Sequence, residues 1–87
     1  MNNQMRASLE SLAWLHLTLG HEYGALVRYF HVKGLEERRV ECSAFQDRHM
    51  TAFYSLTASD EKLRQKLVAD LAEYHATMVA VFEAGKK

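Results

Sequence analysis

Apolar residues recur along the chain at alternating steps of three and four, in three long stretches separated by very short breaks. In the first, from about Gln4 to Val32, the residues Leu9, Leu12, His16, Leu19, Tyr23, Leu26 and Phe30 share one helical face. Leu15, Leu17 and Val27 flank that stripe, so the apolar arc covers more than half of the helix circumference. Gly20 and Gly24 lie on its edge. A glycine costs about 1 kcal/mol relative to alanine in a helix interior. The pair therefore predicts either a bend there or another backbone approaching closely, with a break at Gly20 into two shorter helices as the main alternative. Gly20, Gly24 and Leu17 are the expected helix-packing or dimer-seam positions.

Lys33 and Gly34 supply a stop, a basic last turn followed by glycine. The second stretch spans roughly Leu35 to Ser55, with Leu35, Cys42, Phe45, His49, Ala52, Phe53 and Leu56 on its inner face. Glu36 and Glu37 suit the positive end of that helix. Thr57 is the expected N-cap of the third, with Asp60 completing a capping box. This last helix, from about Ala58 to Ala84, points Leu63, Leu67, Leu71, Tyr74, Met78, Val81 and Phe82 inward, and Gly85 closes it. Connections this short join antiparallel neighbours. The expectation is a single all-α domain over residues 1–87, an antiparallel three-helix bundle or a long helical hairpin. The broad arc on the first helix further predicts completion of the core by dimerisation, because two neighbours in one chain need not cover it.

Composition narrows the function classes. Eleven basic residues balance eleven acidic ones, so the chain lacks the general attraction that drives nucleic-acid binding, and self-association meets little charge repulsion. Arg38, Arg39 and Arg48 are interleaved with Glu36, Glu37, Glu41 and Asp47, leaving no clean basic face, and no nucleic-acid partner is expected. No apolar run approaches the ~20 residues of a membrane span; Leu12 to Leu19 is interrupted by His16 and Thr18. With one cysteine, Cys42, and no recognisable secretory signal, the expected location is the cytoplasm, away from membranes.

The five histidines, His16, His21, His31, His49 and His75, raise the question of metal or acid–base chemistry. No Glu-x-x-His occurs, and no two histidines lie three or four residues apart, so no single helix carries paired ligands. His21-Glu22 opens like the zinc-protease pattern, but Ala25 stands where its second histidine must be. Folding the chain about Lys33-Gly34 brings His16 level with His49, both on core-facing stripes. That arrangement is expected to be structural, with a ligand- or metal-binding bundle built on this pair as the rival reading. Counted through the second turn, His75 falls near Arg38 and Arg39. Cys42 on an apolar stripe is a poor nucleophile. No catalytic residue, metal ligand or cofactor is assigned.

Trp14 stands apart. On an ideal helix it projects to the side carrying Glu10, Thr18, His21 and Arg28, away from the leucine stripe. A large aromatic on a polar face has the anatomy of an interface anchor. Trp14, Glu10, His21 and Arg28 are thus the expected protein-interaction residues, unless Trp14 folds down beside the third helix or packs across a homodimer seam. The resulting expectation is a small non-catalytic protein that acts by binding another protein or its own copy. Stoichiometric regulators, adaptors and inhibitors of this kind include many small phage and mobile-element proteins. A structural subunit of a larger assembly is the remaining alternative.

Overall fold

The computed structural model describes residues 2–86, and they form three α-helices: α1 (Asn3–Lys33), α2 (Glu36–Leu56) and α3 (Glu61–Gly85). The order is up-down-up. Helices α1 and α2 pack as a hairpin, and α3 crosses α1 over a shorter stretch. Four contacts fix the direction of α3: Arg6 meets Asp60, Glu10 meets Lys66, Trp14 meets Tyr74 and His21 meets His75. Residue numbers rise together, so α3 runs parallel to α1. The chain forms a slab of 46 × 37 × 18 Å with a radius of gyration of 15.3 Å. A compact chain of this length would have about 12 Å.

The ends of α1 have identifiable physical causes. Asn2 caps α1 by accepting the Met5 N–H at 2.8 Å. Gly34, at φ 72°, takes the left-handed conformation that ends the helix, and the Leu35 N–H returns to the Phe30 carbonyl at 2.9 Å. Glu36 in the first turn of α2 pairs with Arg39, a contact that holds the carboxyl below and the guanidinium above their ordinary pKa values.

The second turn departs from the sequence expectation. Thr57 does not cap α3; it closes α2, fully buried, with its hydroxyl donating to the Phe53 carbonyl at 2.8 Å. Asp60 is the cap instead, accepting the Leu63 N–H at 3.0 Å, and α3 starts at Glu61 rather than Ala58. With its side chain turned back onto α2, Thr57 does not present its oxygen to the first N–H groups of α3. Arg64 ties the two together, donating from Nε to the Thr57 hydroxyl at 3.2 Å and from Nη2 to its carbonyl at 3.3 Å.

Helix α1 runs unbroken through both glycines, and its buried face is Ala13, Leu17, Gly20 and Gly24. That face is rotated by about one residue, roughly 100°, from the predicted leucine stripe. The reason is steric: small residues let α2 approach closely, whereas leucines would hold it away. A Cβ on Gly20 would lie 2.6 Å from Met50 Sδ and 3.0 Å from Met50 Cγ. Both glycines therefore pack against α2 of the same chain, which leaves them no room in a dimer seam. Ala13 and Leu17 join Phe53 of α2 and Leu63, Leu67 and Leu71 of α3 in the core, with Trp14, Met50 and Leu56 around it. Two predicted core faces are only partly buried. On α2, Leu35 and Phe45 remain exposed, and on α3 burial stops at Leu71, leaving Tyr74, Met78, Val81 and Phe82 in solvent. The apolar periodicity of α3 simply outlasts the surface it crosses.

The glycine seam makes a contrast that can be measured. Gly20→Leu is expected to destabilise the fold by about 1–3 kcal/mol through overpacking, despite leucine's better helix propensity. At Gly24 a Cβ meets the amide end of Gln46 at 2.7 Å, a flexible group able to swing aside. Gly24→Ala is accordingly expected to be neutral or to gain up to about 1 kcal/mol. Urea unfolding of both variants checks the pair; a Gly20→Leu protein as stable as the parent would refute the close-approach account.

Candidate functional site

Two side-chain constellations remain once the core is assigned. The first is the seam between α1 and α2. His16 Nδ1 and His49 Nδ1 lie 3.0 Å apart, one donating to the other, as the hairpin count requires. Tyr23 stacks on His49 at 5.6 Å and on Phe45 at 5.2 Å, making an aromatic ladder whose Phe45 end is exposed. With both Nδ1 atoms committed to each other, the pair has the geometry of a structural hydrogen bond.

The second constellation lies between α1 and α3 and gathers three of the four residues expected on the interaction face. Glu10 accepts from Lys66 at 2.6 Å; that hydrogen bond, reinforced by the carboxylate charge, holds the Lys66 ammonium above its ordinary pKa. Trp14 is half-buried, packed on the core and edge-on to Tyr74 with ring centroids 6.4 Å apart. It is therefore not a freestanding anchor on a polar face. Its side is already covered in part by α3, because α3 crosses α1 there. Trp14 and Tyr74 form the aromatic wall of an open cleft of about 600 Å³, whose other side chains include Glu10, Lys66, Asp70 and Glu73. Arg28 does not join this group; it sits in a separate groove near the hairpin turn with Val27, His31, Val32 and Arg39.

His21 lies one step further along α1. Its ring stacks on that of His75 at 4.1 Å with a 32° tilt, and His75 is thus beside α1, not near Arg38 and Arg39. Counting through the second turn failed because α3 leans on α1 rather than retracing α2. Glu22 completes a trio: one donor atom from each of His21, Glu22 and His75 lies within 4.8 Å of the others. Two imidazoles and a carboxylate are a donor set for a borderline divalent metal. The grouping follows from the way α3 crosses α1, which pairs Arg6 with Asp60, Glu10 with Lys66, Trp14 with Tyr74 and His21 with His75, and no spacing along the sequence marks it.

Compared with protein-family models, curated proteins and solved structures, the chain matches none. The residues themselves carry the functional argument. Among the described residues, no helix is long and apolar enough to cross a membrane.

Two substitutions probe the constellations. Trp14→Ala is expected to cost about 2 kcal/mol of fold stability, less than a fully buried tryptophan, because it strips one wall from the α1–α3 contact. Unchanged thermal unfolding would return Trp14 to the class of free surface anchors. His49→Leu, which leaves His16 Nδ1 without its partner, is expected to lose about 1–2 kcal/mol, and adding His16→Leu should recover part of it. A double-mutant cycle with no coupling would show that the hydrogen bond contributes nothing.

Proposed function

We propose that this protein works without catalysis, as an association module whose immediate partner is a second copy of itself. The observation that carries the reading is a stripe of α1 that its own chain leaves uncovered. Met5, Leu12, Leu15 and Leu26 are 58%, 44%, 50% and 40% exposed, and half-buried Leu19 lies on the same side. Met5, Leu12, Leu19 and Leu26 are spaced by seven residues, the repeat that suits a facing helix. The stripe extends over about 32 Å at the helical rise. Phe45 on α2 adds a further exposed aromatic.

The balance of apolar surface favours the same conclusion. Among the described residues, six buried apolar residues form the core, whereas sixteen large apolar side chains are exposed, more than isolated surface positions explain. A standard interface covers about 800 Å² per partner, roughly an eighth of the 6523 Å² that one chain presents. Zero formal net charge leaves no long-range repulsion to oppose pairing. A twofold contact between identical stripes closes after two chains. A module of this kind acts by occupancy, as regulator, adaptor or stoichiometric inhibitor, and needs no reactive group.

Sedimentation velocity at micromolar concentration is expected to give a dimer. The double variant Leu12→Glu/Leu15→Glu should sediment as a monomer while keeping its helical circular dichroism, since both side chains lie outside the core. A parent protein that is monomeric throughout overturns self-association and leaves the stripe for a different chain.

A further inference from the structure

We propose that His21, Glu22 and His75 form a binding site for a divalent transition-metal ion of the zinc class, clasping α3 to α1. The two imidazoles come from different helices and stack at 4.1 Å, and the Glu22 carboxylate completes a set of donor atoms within 4.8 Å of one another. Around a tetrahedral zinc, with metal–nitrogen bonds near 2.0–2.1 Å, neighbouring donors lie about 3.3 Å apart. Closing the trio on an ion thus requires movements of about 1.5 Å at most. His21 and Glu22 are exposed and His75 is half-buried, so side-chain rotation alone can supply that movement without disturbing the core. The contrast with the other histidine pair is chemical. His16 and His49 turn their Nδ1 atoms on each other at 3.0 Å, whereas His21 and His75 have a carboxylate at hand to neutralise part of a dication's charge.

The location gives the ion a mechanical consequence. The contact of α3 with the rest of the chain is short, and its last buried residue is Leu71. His75 follows one turn later, beyond the last buried apolar side chain of α3. A metal bridging His75 to His21 extends the α1–α3 contact beyond the point where hydrophobic burial holds it. Such an ion binds the folded chain and not the unfolded one, so it stabilises by mass action. Three protein ligands leave a fourth position for water. This site is independent of the apolar stripe and of self-association.

The test is titration of the metal-free full chain with Zn²⁺ by calorimetry, with Co²⁺ as a spectroscopic reporter of coordination geometry. The expected result is one ion per chain, a visible Co²⁺ spectrum of tetrahedral type, and a melting temperature that rises with Zn²⁺ concentration. His75→Ala and His21→Ala should each weaken Zn²⁺ binding about tenfold or more. His31→Ala, which removes a histidine outside the trio, should leave affinity unchanged. His21 is exposed, so its variant keeps the test decisive even where His75→Ala perturbs folding. Zn²⁺ binding that survives His21→Ala unweakened, or no saturable binding by the parent, overturns the proposal.

Discussion

The close approach of α2 to the Ala13–Leu17–Gly20–Gly24 face of α1 is the constraint on which the rest of this structure depends. It selects the rotation of α1 about its own axis. Once the small residues face α2, Ala13 and Leu17 meet Phe53 at the centre of the core, and His16 reaches His49 at 3.0 Å. The same rotation turns Trp14, Glu10 and His21 toward α3. Close packing gains dispersion contacts along the whole hairpin, and two glycines in a long helix are the conformational cost of that gain.

What the rotation hides on one side it exposes on the other. Leucines that would serve as the core of a differently packed bundle, Leu12, Leu15 and Leu26, are left on the surface. The slab shape follows from the same arrangement, because α3 covers only the lower part of α1 and continues past it with Met78, Val79 and Phe82 in solvent. At the crossing of α1 and α3, the Glu10–Lys66 pair, the Trp14–Tyr74 edge contact and the His21–His75 stack follow one another.

Much of the candidate chemistry was legible only in part. The level of His16 and His49 could be read because a hairpin with a two-residue turn has one possible register. His75 could not be placed that way, because a third helix has two neighbours to choose from, and the choice depends on packing. Trp14 illustrates the same limit: an ideal helix shows which way it projects, but not that α3 meets it there. Thr57 shows a local version, since both a hydroxyl that caps forward and one that bonds backward to Phe53 fit the same residue type.

The all-α class, the approximate limits of the helical stretches and the stop at Gly34 were determined by the sequence alone, because periodicity, glycine and short polar breaks act locally; that α1 runs unbroken through Gly20 was decided by the packing of α2 against it. The exposed surplus of apolar residues on α1 was equally legible as an amount. Which of those residues would be the surplus was decided only by the tertiary structure. An apolar arc wider than one neighbour can cover permits several rotations, and the steric preference of α2 for the glycine edge selects one. That selection is also what brings His21 and Glu22 within reach of His75, a grouping that no spacing along any single helix encodes.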